Sequence, residues 1–355
     1  MRLVKFPSIS QFRDVVKNVK HRASYIGSDA DGNPMYNNLR TAPTLKFEGT
    51  VKIHGTNFGC ISAADGEMWF QSREHIITPE KDNAGSAMFG FANNTTIVNI
   101  VSRVRRMFDI TTHDVAIFFE WSGGNIQKGV AISQLPKMAI IIGIALVDGE
   151  GQKNYLTRNQ VEEVVRGLVE RPNGEVPLTS CIYSIYDFPT YQFTIDFEQP
   201  HLSQNELNAV MLAVEGECPV GKAFGVSGIG EGIVVRCIEP DYTDSGYWMK
   251  CKGSEHSKSK VKTLARVDVE KIDNINQLAE TLANNGRLDQ MCQQTFDLLN
   301  GGEIDINSMG DFIRAVFADI IKEDLAIIAA SGFNMKELNG SISKIARNYI
   351  TNQLQ

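Results

Sequence analysis

Residues 51–59 read VKIHGTNFG, a lysine between two β-branched apolar residues with a polar, glycine-bearing run directly after it. Val51 and Ile53 predict a buried strand, where an unpaired ammonium is expensive. Lys52 therefore has two readings. Either it snorkels from the wet side of an edge strand, or its chemistry depends on being partly withdrawn from water. The K-x-(D/H)-G pattern formed by Lys52, His54 and Gly55 is weak alone, because average residue frequencies produce it by chance in roughly one chain in ten of this length. The surrounding sequence has to decide.

Outward from this stretch, short strand-like runs recur: TLKFEGTVKIHG, FGCISA, EMWFQSR, VAIFFEWSGG, MAIIIGIALVDG, QFTIDF, GIVVRCIE and YWMKCKG. Helical spacing interrupts them. Ile9, Phe12, Val16 and Val19 share a face near the start, and TIVNIVSRVRRMF reads as a second helix. In TRNQVEEVVRGLVE, Thr157 is placed to cap a stripe of Val161, Val164, Val165 and Leu168, and SQNELNAVMLAVEG opens with a capping box from Ser203 to Glu206. DADGNPMYNN (29–38) is turn-rich and predicts a surface loop. Strands without regular βαβ alternation predict an α+β fold of antiparallel sheets rather than a doubly wound parallel sheet. Neither a G-x-G-x-x-G after a strand nor a Walker A motif is present.

Beyond about residue 266 the strand patterns stop. Ile275, Leu278, Ala279 and Leu282 keep helical spacing, as do Phe312, Ile313, Val316, Phe317 and Ile320, and then Met335, Leu338, Ile342, Ile345 and Tyr349. Gly286, Gly301, Gly302, Gly310, Gly332 and Gly340 punctuate this region. The stripes are core faces of a small all-α domain. Two domains, 1–262 and 266–355, are the expectation, in keeping with a chain of 355 residues.

No run of about 18 apolar residues occurs, so no membrane span is expected. The opening MRLVKFPSISQF has no apolar stretch of the kind a secretory signal needs. Six scattered cysteines without a CxxC argue against a zinc site or disulfide framework and for a reducing cytoplasm. The formal charge is −7, yet it is unevenly distributed. From Asp268 onward, 13 Asp and Glu face 7 Lys and Arg, whereas KCKGSEHSKSKVKTLAR (250–266) carries six Lys and Arg against one Glu. RVRR (103–106) is a second basic cluster. A phosphate-bearing partner is thus compatible with the acidic total.

After Lys52 come, in order, QSR (71–73), FFEWSGG (118–124), EGIVVR (231–236) and WMKCKG (248–253). This ordered set resembles the nucleotidyltransferase motifs of covalent ligases and capping enzymes. The fuller KIHGTNF, the opening LVKFPSI and IQKG (126–129) are similar to the phage RNA ligase 2 family, with His54 where DNA ligases and capping enzymes usually have Asp. The resemblance covers about residues 1–262 through its motifs. It implies a nucleotidyltransferase (ATP-grasp-like) domain of antiparallel sheets with flanking helices, followed by a helical C-terminal domain.

It also implies a chemistry. A lysine of this family attacks the α-phosphate of ATP, the AMP passes to an RNA 5′-phosphate, and a 3′-OH displaces it. Lys52 is then the nucleophile, and burial plus a nearby cation, Lys250 or Lys252, favour its neutral amine. Lys250 and Lys252 alternate with Met249 and Cys251, so on a strand both ammonium groups point to one face as a phosphate clamp. Resemblance assigns Glu231 to a divalent cation, Mg²⁺ or Mn²⁺, and Glu120 to the AMP ribose with a second role near the metal. Arg73 faces ribose or the incoming 5′-phosphate, His54 orients the leaving pyrophosphate, Asn57 bonds near the phosphates, and main-chain groups at Val51 and Ile53 contact adenine.

Two positions depart from the family's pattern. Val51 replaces a glutamate common before the nucleophile, and MAIIIGIAL (138–146) lacks the aromatic that stacks on adenine, leaving Ile142 or Ile144 for that contact. The expectation is an ATP-dependent RNA ligase acting on nicks in duplex RNA, in the cytoplasm (of the host, for a phage protein), without an obligate protein partner. The rivals are a DNA ligase of the same superfamily, disfavoured by His54 and by the lack of a barrel pattern after WMKCKG, and a catalytically silent nucleic-acid-binding relative, in which nothing would require Lys52, Glu231, Lys250 and Lys252 together.

Overall fold

The structure, a computed structural model, describes residues 1–124, 126–179, 181–252, 275–298 and 302–354. It divides into two compact units, Met1–Cys251 and Lys252–Gln355. The boundary expected at 262–266 and the basic connector 258–266 lie outside the described residues.

The first unit is built on two larger sheets. Strands β1 (Ser10–Gln11), β4 (Thr44–Val51), β12 (Thr190–Asp196), β13 (Gly232–Cys237) and β14 (Trp248–Lys252) form one, in the order β1-β14-β13-β4-β12. The other runs β10-β9-β8-β5-β6-β7, from β5 (Gly55–Ser62), β6 (Met68–Ser72), β7 (Ile76–Ile77), β8 (Asp114–Ser122), β9 (Met138–Val147) and β10 (Lys153–Tyr155), with β11 (Ile182–Ser184) added beside β9. The α+β architecture expected from the sequence is therefore what the chain adopts. The pairings β4/β12, β4/β13, β5/β6, β5/β8, β6/β7, β8/β9 and β9/β10 are antiparallel, and the short contacts β1/β14 and β9/β11 are parallel. The nearly unbroken apolar run MAIIIGIALV of β9 has a simple cause: most of its residues are buried on both faces of the sheet.

Helices α1 (Phe12–Ser24), α2 (Ser86–Ala92), α3 (Asn94–Phe108), α4 (Arg158–Val165), α5 (Gln204–Gly216) and α6 (Pro219–Ala223) accompany the sheets. The capping box at Thr157 forms, with Gln160 as its reciprocal partner. The one expected at Ser203 does not. A 3₁₀ turn over Pro200–Ser203 runs straight into α5, so Ser203 is already helical and its hydroxyl donates to the Thr194 carbonyl instead. The loop expected over residues 29–38 is also corrected: Pro34–Tyr36 is strand β3, paired with β2 (Tyr25–Ser28) in a separate two-stranded hairpin. The RVRR cluster is largely structural, because Arg103 donates to the Val164 and Arg166 carbonyls and Arg105 to those of Ser62, Ala63 and His113.

A wedge of aromatic rings joins the two sheets. Phe6, from the segment before β1, lies 5.1 Å from Phe118 of β8, 5.8 Å from Trp248 of β14 and 6.1 Å from Tyr155 of β10, ring centre to ring centre. That segment is held by its backbone: buried Gln71 accepts from the Val4 amide and donates to the Val4 carbonyl. Arg236 of β13 completes the join, its guanidinium 4.2 Å over the Trp248 ring and donating to the Ile142 carbonyl of β9. Ile142 is the extra residue of a bulge, since Phe118 pairs with Gly143 and Phe119 with Ile141. A bulge turns a carbonyl out of the ladder, and here Arg236 takes it up.

The second unit holds α7 (Ile275–Leu282), α8 (Asn285–Thr295), α9 (Met309–Ser331) and α10 (Met335–Gln353). Leu278, Leu282, Phe312, Val316, Ile320, Leu338 and Ile342 meet in its core, as their spacing predicts. Of the glycines expected to punctuate it, Gly286, Gly310 and Gly340 lie inside helices, whereas Gly332 ends α9 at φ +69°. Arg287 has no exposed surface and donates to both Asp319 and Asp324, the latter at a kink in α9.

All three tryptophans, Trp69, Trp121 and Trp248, lie in the first unit, so fluorescence in a urea titration reports its unfolding. Phe6→Ala is expected to lower that unit's stability by about 3–5 kcal/mol through the cavity it leaves. Arg287→Ala, which strands two carboxylates in an apolar core, is expected to cost about 3–5 kcal/mol, visible in the helical circular dichroism and not in the fluorescence transition.

Candidate active site

Lys52 is not in a strand. β4 ends at Val51 and β5 begins at Gly55, so Lys52, Ile53 and His54 carry the chain from one sheet to the other. Two contacts fix so short a crossing. The Lys52 amide donates to the Gly232 carbonyl at 2.8 Å, and Gly55 packs so tightly that an added Cβ would come within 2.4 Å of the Trp121 carbonyl. Val51 and Ile53 are buried and anchor both sides of the lysine. Lys52 itself keeps 20% of its side-chain surface exposed.

Glu231 is the centre of the site. It directly precedes β13, is 2% exposed, and its Oε2 accepts from Lys52 Nζ at 2.7 Å and from His54 Nδ1 at 3.0 Å. A carboxylate partner requires the His54 proton on Nδ1. The sequence reading surrounded Lys52 with apolar residues and a second cation; the structure puts an anion against it.

The strand faces decide which other residues look toward Lys52's side of the fold. Alternation places Asn57 and Glu120, direct cross-strand partners, on the face of the second sheet that also carries Ile61 and Phe118. That face packs toward Trp248 of the first sheet. Lys250 and Lys252 follow Trp248 at period two and are half-buried, whereas Met249 and Cys251 are buried on the opposite face. Burial pushes the Cys251 thiol up to about 12 and that of Cys60 up to about 12, so both stay protonated and unreactive near neutral pH. Desolvation likewise lowers the Arg236 pKa below its ordinary value, without removing the guanidinium's charge.

The crossing, β5, β8, β14 and the residue before β13 thus carry Lys52, His54, Asn57, Glu120, Lys250 and Glu231 on the side where the two sheets face each other. Arg73 is exposed and donates to Ser8 Oγ at 2.9 Å, with Glu74 nearby. Of the two isoleucines offered for a base contact, Ile144 is fully buried while the bulge residue Ile142 retains exposed surface. Sequence reading passed over Gln71 and Arg236, although both stand inside the motifs QSR and EGIVVR. The period of β13 is the signal that puts Arg236 on the same face as Val234. The bond from Asn83 to Thr56 Oγ1 at 3.1 Å had no signal at all, being a contact between distant segments.

Oxygen donors dominate what could hold a cation: the Glu231 and Glu120 carboxylates and Asn57 Oδ1, a buried atom with no hydrogen-bond partner among the described residues. Hard oxygens suit Mg²⁺ or Mn²⁺. Among the described residues no three His, Cys, Asp or Glu side chains group closely enough to hold an ion alone.

Lys52 and the buried Glu231 carboxylate thus meet where the chain crosses between the two sheets, with Lys250 and Lys252 on β14. The chain belongs to the RNA ligase family, whose model matches residues 45–252, from β4 through β14. Among solved structures, a Naegleria gruberi RNA ligase with PPi is 15% identical, with a TM-score of 0.40 over 72% of this chain and 59% of that one. A variant of the same enzyme with ATP and Mn is 14% identical, TM-score 0.40, over 72% and 58%. An archaeal ATP-dependent RNA ligase is 9% identical, TM-score 0.37, over 92% and 65%. The chain spans about three fifths of the length of the Naegleria structures. No curated protein matches it.

Proposed function

We propose that this chain is an ATP-dependent RNA ligase that seals 3′-OH/5′-phosphate breaks, nicks in duplex RNA above all, and that its kinship lies with the phage RNA ligase 2 branch of the family. The observation that supports this most is the placement of Lys52 in a rigid three-residue crossing, its Nζ against Glu231. Lys52 Nζ attacks the α-phosphorus of ATP. An N–P bond forms, the bond from that phosphorus to the bridging oxygen breaks, and pyrophosphate leaves. The proton that Nζ must lose has an acceptor in reach, Glu231 Oε2 at 2.7 Å. A 5′-phosphate oxygen of the RNA then displaces Lys52 from the AMP phosphorus, and in the last step a 3′-OH displaces AMP.

Each remaining residue acts by position. His54, tied to Glu231, orients the leaving pyrophosphate, and Lys250 and Lys252 neutralise charge that builds on the phosphates. Main-chain groups at Val51 and Ile53, with Ile142, receive the adenine. Glu120 holds the ribose, Asn57 bonds near the phosphates, and Arg73 meets the 5′-phosphate. Glu231 and Glu120 would hold Mg²⁺ or Mn²⁺, which supplies charge neutralisation at the phosphates when bound. Residues 1–262 and 266–355 serve as adenylyltransferase and helical domains. Lys336, Lys344 and Arg347 are exposed along one side of α10 and give the acidic helical unit a means of touching a nucleic-acid backbone. No described helix is long and apolar enough to cross a membrane; a cytoplasmic setting is part of the proposal.

The test is ATP labelled on the α-phosphate, incubated with the protein and Mg²⁺. Label is expected on the denatured chain, reduced at least a thousandfold by Lys52→Ala and abolished by a chelator, with Mn²⁺ restoring it. Label that persists in Lys52→Ala would exclude the mechanism. Sealing of nicked RNA, nicked DNA and hybrid duplexes, compared side by side, then assigns the substrate.

A further inference from the structure

The family match begins at residue 45, yet the residues before it form an ordered surface of unusual chemistry. Among the described residues β2 and β3 pair only with each other. Isolated two-stranded hairpins are marginal in water, and this one presents aromatic rings to solvent. Tyr25 and Tyr36 are direct cross-strand partners, 44% and 43% exposed, with ring centres 5.9 Å apart. His21, at the end of α1, continues the run, its ring 4.6 Å from that of Tyr36 and tilted by only 31°. A register shift between Tyr25 and Gly27 lies beside the rings, the kind of irregularity that re-aims a side chain.

Charge distinguishes the candidate occupants. Residues 13–40 carry five Lys and Arg against three Asp, in a chain of net charge −7. Lys17 and Lys20 are exposed on α1 on the side away from its buried Phe12, Val15 and Val19. Arg22 is bound by Asp244, and Asp29 is engaged by its own turn through the Asp31 and Asn33 amides. Protein interfaces are poor in lysine. Rings flanked by mobile lysines are what single-stranded nucleic acid uses, stacking for the bases and cations for the phosphates. The surface also connects to the reaction centre: Gln11, just before α1, pairs with Lys250, and the thirteen residues of α1 span about 20 Å from there to the hairpin.

We propose that α1 and the β2–β3 hairpin form an RNA-contact platform, in which His21, Tyr36 and Tyr25 stack a base of an unpaired strand extending from the nicked duplex and Lys17 and Lys20 bind the adjoining phosphates. It rests on the ligase reading above and extends that reading to RNA flanking the break.

The full chain is titrated with a fluorescent RNA duplex that is nicked and carries a short unpaired extension, over a range of salt. Tyr25→Ala with Tyr36→Ala is expected to weaken binding at least tenfold, while Tyr25→Phe with Tyr36→Phe retains it. Tyr25→Leu with Tyr36→Leu keeps apolar area without a ring, and should bind as weakly as the alanine pair. Lys17→Ala with Lys20→Ala should reduce the slope of log K against log salt by between one and two. Label transfer from ATP to Lys52 serves as the internal reference and should be unchanged in all four. Binding that is unaltered in the alanine pair, or restored by leucine, overturns the platform, as does concentration-dependent self-association through the tyrosines. If the wild-type chain takes up AMP and binds RNA while the variants match it, the platform alone fails. If the wild-type chain does neither, the ligase reading fails and takes the platform with it.

Discussion

A three-residue crossing between two sheets is the constraint on which the site depends. Too short to relax, it pins Lys52 through the bond from its amide to Gly232 and through the close approach of Gly55 to Trp121. Gly232 opens β13, and Glu231 stands immediately before it, so the same backbone contact that closes the crossing delivers the carboxylate to the amine. Lys52 and Glu231 are positioned by sheet geometry, which lowers the entropic cost of holding the two side chains together.

The space between the sheets is kept by a second set of contacts far from Lys52 in sequence. Phe6 enters from the N-terminal segment, Gln71 grips the backbone of Val4, and Arg236 spans from one sheet to a bulge carbonyl in the other. Arg236 lies between aromatic rings and accepts a substantial desolvation cost there. The bulge that supplies its acceptor is also what leaves Ile142 partly exposed while Ile144 is sealed in the core. One backbone irregularity therefore contributes to both the join of the sheets and the shape of the surface beside it.

Net charge is a poor guide to where this chain carries exposed cations. RVRR, conspicuous in the sequence, has two of its arginines directed to backbone carbonyls, and Arg22 is taken by Asp244. Less conspicuous cations, Lys250 and Lys252 on a strand and Lys17 and Lys20 on a helix, retain solvent-facing surface. Whether a basic residue is directed to backbone carbonyls or keeps solvent-facing surface is a property of long-range packing.

The sequence alone determined much here. Period-two alternation in WMKCKG assigns faces to lysines and apolar residues because successive strand side chains point in opposite directions, and the helical stripes after residue 275 specify a core for the same kind of local geometric reason. The order of KIHG, QSR, FFEWSGG, EGIVVR and WMKCKG carried the family. The tertiary structure decided what no local rule reaches: that Lys52 lies between strands instead of within one, that its nearest charge is Glu231, 179 positions away, that Ser203 bonds Thr194 instead of capping its helix, and that Pro34–Tyr36 pairs with β2. Each of these is a pairing between groups distant along the chain or a competition among several acceptors. Such choices are made by the packed backbone, after periodicity has fixed which face each residue presents.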